Sequence, residues 1–486
     1  MAVLRRLTTE RSAKVIVFLL IFAMASRVSV DPDLWWHLRL GEYILETGSP
    51  VYADVFSHTR AGQAHKNHSW LSQVVMFGIW RLAGHLGLTL FVSSLATAGM
   101  IFLYRAGAGT IYMRGFALVI GAACAAAFWS PRPQMFTFLF SSVLVFILFE
   151  LKYKCRDHLW SLPLLFVCWV NLHGGFIIGL LILGAFLLGE CVNAALALGN
   201  ARIQPGKLRK LLMIAPLSLA VMPINPLGID VFAVPFDTAG IGGLRKYIQE
   251  WQPPDFSQPY TWGFVALLLL ALGAKVASRR RADATEHLLV GGALGLALFS
   301  GRNLSLFTVA ALPVATIHIN DLLIRRGWLL PFRFRSRETP GRAVINVLLI
   351  CLVALGVLTR VLYVSSDNII GAAVSRNWPA DAARFLNASA LEGRLFNSYN
   401  WGGYLIFSAR DFPVFIDGRT DLYRDFLDEY AAAYGGEAWR AVFKRWDIDV
   451  ALIESASPLA GELEAAPDWL LEYADEIASI YMRAPA

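Results

Sequence analysis

About eleven apolar runs, each close to the length that crosses a lipid bilayer, constrain this chain more than any other feature. A window of about 19 residues finds these runs at residues 15–29, 86–104, 115–130, 135–151, 159–172, 175–198, 211–224, 260–277, 286–300, 304–320 and 343–363. The 486-residue chain is 56% hydrophobic and only 16% charged, with a mean hydropathy of +0.52. One soluble core cannot bury so much apolar surface, so the sequence predicts a polytopic α-helical membrane protein with about eleven transmembrane helices.

The basic residues predict how these helices are oriented. Lys and Arg concentrate in cytoplasmic loops, and a cytoplasmic amino terminus makes the inward segments rich in them, for example at Arg5, Arg6, Arg279, Arg280, Arg333 and Arg335. We therefore expect a multi-pass protein of the inner (plasma) membrane, with a transmembrane domain over residues 1–363 and residues 364–486 outside the cell. The Lys and Arg residues of the inward segments then lie near anionic membrane lipid, which accounts for the net charge of +7. No nucleic-acid partner is predicted.

The first apolar run has a second interpretation. The stretch AMA at residues 23–25 has the small-x-small pattern of a signal-peptide cleavage site. A retained anchor fits better, because Arg27 and an acidic stretch follow and the other loops agree with it. Asp31 lies outside the cell in either case.

The composition changes after residue 363, where charge, Asp and Gly rise and the apolar runs shorten to strand length. The patterns predict strands in RLFNSY, PVFID, DVALIE and IASIYM, and helices in PADAARFLNA, YRDFLDEYAAAY and EAWRAVFKRW. Alternating elements over roughly 110 residues make a small α/β domain, which an odd number of crossings places outside the cell.

Polar side chains that are costly at a lipid boundary gather in the predicted outward loops. The first outward loop covers about residues 30–85, and a late outward loop covers about residues 225–259. The polar candidates in these and the shorter outward loops are Asp31, Asp33, His37, Arg39, Glu42, His65, His68, Arg132, Asn171, His173, Glu250, Arg302 and Asn303, and Trp35 and Trp36 accompany them in the first loop. Because all are predicted at one membrane face, we expect them to contribute to one functional site.

Several candidates also have a structural interpretation. Asp31 can be a helix cap, Trp35 and Trp36 can form an interfacial aromatic belt, and His173 can be a hydrogen-bonded core histidine. The combination favours a function, because arginine matches phosphate oxygens in a planar fork and a carboxylate can take a proton from an attacking nucleophile. Such a face suits a substrate with an anionic headgroup and a lipid tail.

Three motifs resemble the C-type membrane glycosyltransferases, and most of all the oligosaccharyltransferase catalytic subunits. VDPDLWWHLRLGEYILETG (residues 30–48) resembles the first outward loop of that family, with Asp31 at the position of its catalytic aspartate. QEWQPPDF (residues 249–256) is similar to a Glu-x-Gln-Pro motif whose glutamate contacts the acceptor, and Glu250 falls on it. NSYNWGGYLIFSARDFPVFIDGRTDLY (residues 397–423) is similar in layout to the start of that family's extracytoplasmic domain. The resemblance extends from end to end of the chain.

The resemblance implies a mechanism. Asp31 is the expected general base, which removes a proton from the acceptor as it attacks the anomeric carbon of a polyprenyl-linked sugar with inversion. Asp33 orients the acceptor or holds a cation. The donor phosphate is assigned to Arg132, Arg302 and His173, and the acceptor or sugar contacts to Trp35, Trp36, His37, His65, His68, Glu250, Asp417 and Arg419.

Two departures from the family limit what the resemblance implies. The loop WSPRPQ (residues 129–134) has no carboxylate where the oligosaccharyltransferases have an acidic pair that helps hold a metal. No cofactor is therefore assigned with certainty, and a divalent cation, Mg²⁺ or Mn²⁺, at Asp31 and Asp33 is left open. Asn400, Trp401 and Gly402 replace the acceptor-reading Trp-Trp-Asp, so an asparagine acceptor is not implied and the acceptor is unknown.

Two other functions also place charged residues in a membrane protein of this kind. A transporter or lipid flippase should show internal repeats and broken helices near the membrane midplane, and the sequence shows no repeat. A non-catalytic envelope assembly protein would not need Arg132 and Arg302 opposite an acidic first loop. Glycosyl transfer remains the favoured prediction.

Overall fold

The computed structural model describes residues 8–199, 201–328, 339–424 and 426–485, and the orientation arginines Arg5, Arg6, Arg333 and Arg335 lie outside these ranges. Contacts divide the chain into two compact units. The helical unit comprises Met1–Arg27, Thr89–Ile229 and Gln249–Val364, and the mixed unit comprises Val28–Leu88, Asp230–Ile248 and Ser365–Ala486. Most of the first outward loop and part of the late one therefore group with the carboxyl-terminal residues.

Helices provide the regular structure up to residue 364, and each apolar run predicted above overlaps one of them. In chain order they are α1 (Thr9–Ala25), α2 (Leu34–Thr47), α3 (Trp70–Ala106), α4 (Ile111–Ala125), α5 (Gln134–Lys154), α6 (Ser161–Leu172), α7 (Phe176–Ala195), α8 (Pro205–Ala220), α9 (Val234–Ala239), α10 (Gly243–Tyr247), α11 (Trp262–Ala277), α12 (Ala284–Phe299), α13 (Leu304–Arg325) and α14 (Pro340–Val364). Side-chain caps start several of them, since Thr8 accepts from the backbone N–H of Arg11 and Asp283 accepts from that of Glu286.

Among the described residues, seven helices are long and apolar enough to cross a membrane. They are α3, α4, α5, α7, α11, α13 and α14, and the apolar helices α6 and α12 are shorter. The prediction of a polytopic α-helical membrane protein with a carboxyl-terminal α/β region is confirmed. The count of eleven crossings, and the orientation that follows from it, remain predictions.

Helix α13 forms the centre of the helical unit. It packs against α4, α11 and α12, and it is buried almost continuously from Leu304 to His318. Gly263 of α11 lies against the backbone of α4, where a Cβ would come within 2.5 Å of the Ala123 carbonyl carbon. This close approach fixes α11 against α4, and with it the loop that precedes α11.

The mixed unit builds a four-stranded sheet in the order β1-β2-β4-β3, in which β1 and β2 are parallel and the other pairs antiparallel. Its elements after residue 364 are α15 (Asp367–Asn377), α16 (Ala380–Ala388), β1 (Arg394–Asn397), α17 (Tyr399–Ser408), α18 (Thr420–Tyr423), α19 (Phe426–Tyr434), α20 (Trp439–Trp446), β2 (Ile448–Glu454), α21 (Pro458–Glu464), β3 (Trp469–Ala474) and β4 (Ala478–Arg483). Phe396, Phe415 and Phe443 lie in the core beneath the sheet.

The strand predictions for this unit are confirmed for RLFNSY, DVALIE and IASIYM, and the PVFID prediction is wrong. Residues 413–417 form only one bridge, between Val414 and Ser57, because the Asn397 side chain takes over the backbone hydrogen bonds of Phe415 and Ile416. Strand β3 was not predicted, because its apolar residues do not alternate and Leu470 and Leu471 are both exposed at the sheet edge.

Candidate active site

The predicted site residues divide between the two units. The helical unit holds Arg132, Asn171, His173, Glu250 and Arg302, which include all the candidates for the donor phosphate. The mixed unit holds the others, namely Asp31, Asp33, Trp35, Trp36, His37, His65, His68, Asp417 and Arg419. Each group is described within its own unit.

Asp31 and Asp33 lie at the start of α2 and differ in their surroundings. Asp31 precedes the helix on irregular backbone and is 8% exposed, and its Oδ1 accepts a hydrogen bond from the Asp33 backbone N–H at 3.0 Å. Asp33 occupies the position before Leu34, and its Oδ1 accepts from the Trp36 indole N–H at 3.0 Å. The two carboxylates are therefore not equivalent, and Pro32 between them disfavours helical backbone at Asp31.

Glycines bring α17 and the segment after Ile416 against this motif. A Cβ on Gly403 would lie 2.8 Å from the Pro32 carbonyl oxygen, and one on Gly418 would lie 2.3 Å from Asp33 Oδ1. A Cβ on Gly402 would lie 2.0 Å from the Ile416 carbonyl oxygen. The glycines of the NSYNWGGYLIFSARDFPVFIDGRTDLY motif thus allow its backbone to approach the DPDLWW motif.

The two tryptophans of the first motif have different environments. Trp35 is 4% exposed and packs edge-on against Trp378 and Tyr404, with ring centroids 6.2 and 5.2 Å away. Its predicted role as a sugar contact is therefore wrong, because the ring is enclosed by protein aromatics. Trp36 is partly exposed, and its ring centroid lies 3.6 Å from that of His37 with the two rings tilted by 35°, so Trp36 stays a candidate sugar contact.

The three candidate histidines of the first loop differ in their burial. His37 is buried, and its Nδ1 lies 3.3 Å from Gln73 Nε2. Burial lowers the pKa of His65, whose Nε2 is 3.8 Å from Asp421 Oδ2. His68 is partly exposed. Of these, His68 offers the most surface to a ligand.

Arg419 and Asp417 form the interior of a buried ion cluster. Arg419 is 1% exposed, and it binds Asp417 Oδ2 through NH2 and Asp54 Oδ1 through NH1, both at 2.6 Å. Tyr423 donates to Asp417 at 2.7 Å. Burial opposes the charge on Arg419, but the adjacent Asp417 outweighs it and raises the arginine's pKa well above its usual value. The prediction that Asp417 and Arg419 contact the acceptor is wrong, because neither side chain reaches the surface.

In the helical unit, Arg132 and Glu250 form an ion pair. Arg132 precedes α5, and its NH1 donates to Glu250 Oε1 at 2.9 Å, with side chains 16% and 33% exposed. The sequence predicts a phosphate contact for Arg132 and an acceptor contact for Glu250. The pairing instead places the Glu250 carboxylate where an anion on Arg132 would bind.

Arg302 lies in the short turn before α13 and stacks on Trp251. Its guanidinium carbon is 4.3 Å from the centre of the Trp251 ring. The turns that carry the two residues are fastened together, since the Gly301 N–H donates to the Gln252 carbonyl and the Ser300 hydroxyl donates to the Glu250 carbonyl, both at 2.9 Å. The guanidinium therefore makes a cation–π contact with the Trp251 ring, which restricts where the Arg302 side chain lies.

His173 directly follows α6, and the hydrogen bonds of its ring identify its tautomer. The Gly175 N–H donates to His173 Nδ1 at 3.1 Å, and the Thr137 hydroxyl, which accepts from Trp169, is 2.7 Å from the same nitrogen. Since Nδ1 is an acceptor, the proton of the neutral ring lies on Nε2. His173 can therefore donate a hydrogen bond to an anionic oxygen without carrying a charge.

The carboxylates of the first loop do not make a metal site of the usual kind. In the part of the chain that the structure describes, no group of three or more His, Cys, Asp or Glu side chains is arranged to hold a metal ion. Asp31 and Asp33 each use an oxygen in a hydrogen bond within the motif. We therefore derive no catalytic step through a divalent cation.

Sequence reasoning missed two residues that organise these groups. Trp251 follows Glu250 directly, but its role depends on Arg302, which is distant in sequence. Asp54 lies in the first loop, and its partner Arg419 is 365 residues away. Burial raises the pKa of Asp54, but the Arg419 charge and the bonds from Ser57 outweigh it and lower that pKa below its usual value. An acidic residue in an otherwise apolar stretch was the only local signal.

Comparisons with solved structures identify the fold. No family model matches the sequence, and the search of curated proteins finds no match. Among solved structures, the chain is similar to the archaeal oligosaccharyltransferase AglB from Archaeoglobus fulgidus, solved in complex with an inhibitory peptide and a dolichol-phosphate. The match covers 91% of this chain and 69% of the AglB chain, with 10% sequence identity and a TM-score of 0.58. The Archaeoglobus fulgidus oligosaccharyltransferase tethered to an acceptor peptide covers 92% and 69%, with 12% identity and a TM-score of 0.54.

A bacterial structure is similar over nearly the whole of both chains. ArnT from Cupriavidus metallidurans in the apo state covers 96% of this chain and 96% of its own, with 14% identity and a TM-score of 0.50. The chain therefore has the fold of the C-type membrane glycosyltransferases. This likeness agrees with the resemblance found in the sequence motifs.

Proposed function

We propose that this protein is an inverting glycosyltransferase that moves a sugar or glycan from a polyprenyl-(di)phosphate donor to an extracytoplasmic acceptor. The observation that carries the proposal is the pair of arginines, Arg132 and Arg302, held by adjacent residues of one turn in the helical unit. Two part-exposed guanidinium groups that contact consecutive residues of one short turn suit a phosphate or diphosphate headgroup. The glycosyltransferase fold and the dolichol-phosphate bound by AglB support a lipid-linked donor.

Three side chains that donate hydrogen bonds act on the phosphate of the lipid-linked donor. Arg302 and Arg132 stabilise the negative charge that develops on the leaving phosphate as the bond to the anomeric carbon breaks. His173 adds a hydrogen bond from Nε2 while it stays neutral. The polyprenyl tail lies among the membrane lipids, in contact with the exposed apolar faces of the helices.

Asp31 is the proposed general base. It takes the proton of the acceptor's attacking group, and a single displacement then inverts the anomeric carbon. A carboxylate has about four lone-pair sites, so the hydrogen bond from the Asp33 N–H leaves it able to accept a proton. Asp33 holds the Trp36 indole and thereby orients the exposed part of that ring, on which a sugar can stack.

The reaction takes place outside the cell in this proposal, with the protein in the plasma membrane and its amino terminus in the cytoplasm. The distribution of Lys and Arg supports this orientation. A reporter fused after residue 370 should behave as extracytoplasmic, and one fused near Arg280 as cytoplasmic. A cytoplasmic signal from the first fusion would contradict the orientation.

An in vitro transfer assay tests the function directly. The purified full-length protein in detergent is incubated with a panel of radiolabelled polyprenyl-phosphate and polyprenyl-diphosphate sugars and with a cell-envelope extract as the source of acceptor. We expect label to move from the lipid phase to an acceptor with at least one donor. Failure with every donor, while the protein stays folded, would contradict glycosyl transfer.

A further inference from the structure

Two consecutive side chains of one short turn contact the two arginines assigned to the donor phosphate. The 3-10 turn Gln249–Trp251 presents Glu250 to Arg132 and Trp251 to Arg302. Its backbone is fastened to Ser300 and Gly301 by hydrogen bonds of 2.9 Å. We refer to residues 249–252 as the arginine-holding turn.

The turn holds the two arginines by different physical means. Glu250 binds the N–H edge of Arg132 through a charged hydrogen bond, which is the same edge and the same chemistry that a phosphate oxygen would use. Trp251 contacts Arg302 through the face of its ring, and this cation–π contact uses none of the hydrogen-bond donors of the guanidinium. A phosphate therefore competes with Glu250 but does not compete with Trp251.

We propose that Glu250 is an exchangeable counter-ion, which Arg132 releases when the donor phosphate binds and takes back when the lipid phosphate leaves. Trp251 remains in contact throughout and is a positioning residue that restricts where the Arg302 side chain lies. This inference rests on the proposed function and adds to it a selection for anionic headgroups. Only a ligand that binds Arg132 more strongly than a carboxylate does can displace Glu250.

The exchange has a kinetic consequence. Because Glu250 competes equally with the donor and with the lipid-phosphate product, removing its charge strengthens both complexes. The Glu250→Gln variant should therefore show a lower KM for the donor and also a lower kcat, since release of the lipid phosphate becomes slower. A residue that only supports the fold would lower activity without this split.

Binding of farnesyl phosphate to the full-length protein in detergent micelles tests the exchange. Glu250→Gln keeps the shape of the side chain and removes its charge, and we expect it to tighten binding roughly two- to fivefold, the range expected for a part-exposed ion pair. The matched control is Asp255→Asn, which removes one negative charge from the same stretch of chain, at a residue whose carboxylate bonds to Ser257. The control should leave the affinity unchanged.

A double-mutant cycle assigns the effect to the pair. In an Arg132→Gln background, Glu250→Gln should no longer tighten binding, because its competitor role requires Arg132. Weaker or unchanged binding in the single Glu250→Gln variant, or a gain that persists without Arg132, would overturn the exchange and leave the proposed function intact. Absence of farnesyl phosphate binding in the wild type as well as in the variants would contradict the lipid-phosphate donor and the exchange together.

Discussion

Arg419 of the mixed unit and Arg132 of the helical unit are both paired with carboxylates, but their pairs are built differently. Arg419 is enclosed and contacts two carboxylates, Asp417 and Asp54, that are themselves buried. Arg132 is partly exposed, and Glu250, its carboxylate partner in the ion pair, is about one-third exposed. The burial of each ion pair thus separates two arginines that the sequence presents as similar loop residues.

The difference shows which arginine can receive a ligand. A buried guanidinium whose donors all face fixed carboxylates cannot exchange them without leaving charges unpaired in the interior. An arginine at a partly wet surface can change one anionic partner for another at small cost. We therefore assign Arg419 to stability, and Arg132 and Arg302 to the donor phosphate.

Substitution of Arg419 gives the largest expected effect on the fold. Arg419→Met leaves Asp54 and Asp417 buried without their cation, which should cost about 3–5 kcal/mol of unfolding free energy. Thermal unfolding of the detergent-purified protein, followed by intrinsic fluorescence and by protease resistance of the mixed unit, measures it. Arg384→Met is the matched control, because Arg384 pairs with Asp381 at an exposed surface and its loss should change the melting temperature little. Equal melting temperatures for the two variants would contradict the claim that the buried Arg419 stabilises the fold more than the exposed Arg384 does.

Substitution of Arg302 should affect the reaction and not the fold. Arg302→Ala removes a phosphate contact and should lower transfer from the lipid-linked donor by roughly 10²-fold or more. Arg302→Lys should restore only part of it, because an ammonium group lacks the planar fork and stacks less well on Trp251. The readouts are turnover and melting temperature. Full turnover in the alanine variant would indicate that Arg302 merely extends to lipid headgroups.

The smallest expected effect concerns pH and the buried His65. Burial lowers the pKa of the His65 imidazole below 6.5. On mild acidification the unfolded chain therefore binds a proton at this histidine at a higher pH than the folded protein does. This contribution to stability is complete above about pH 6.5 and is lost as the pH falls from there towards the lowered pKa. We expect His65→Gln to flatten the fall in melting temperature on mild acidification, and the exposed His158→Gln to leave it unchanged. An unaltered profile in His65→Gln would show that other groups dominate.

Local patterns predicted the helices, the carboxyl-terminal α/β region and the polar character of the loops. Hydropathy and alternation are properties of neighbouring residues, so the helix containing Leu304 and the strand DVALIE could be found directly. The edge strand at Trp469 was missed because an exposed edge does not need an alternating pattern.

The partners of the site residues could not be predicted, because they are distant in sequence. Glu250 pairs with Arg132, which is 118 residues away in the sequence, and the residues next to either one give no sign of this pairing. Trp35 and Trp36 are neighbours in sequence, and packing against residues such as Trp378 and Tyr404 is what encloses Trp35 while Trp36 stays partly exposed. Residue type therefore identified which side chains carry chemistry, and tertiary contacts decided which of them can use it.

Asp31 is the residue on which the catalytic account depends most. Asp31→Asn keeps the size of the side chain and an oxygen that can accept the hydrogen bond from the Asp33 N–H. The amide cannot, however, take a proton from the attacking group of the sugar acceptor. Asp33→Asn is the matched control two residues away, and it should lower turnover only in part, because an amide oxygen can still accept from Trp36.

The decisive measurement is transfer of radiolabelled sugar from the lipid-linked donor by the wild type, Asp31→Asn and Asp33→Asn, with farnesyl phosphate binding and melting temperature recorded for each. The account predicts that Asp31→Asn loses transfer while it keeps its melting temperature and its affinity for farnesyl phosphate. A folded Asp31→Asn protein that still transfers sugar at the wild-type rate would contradict the assignment of Asp31 as general base.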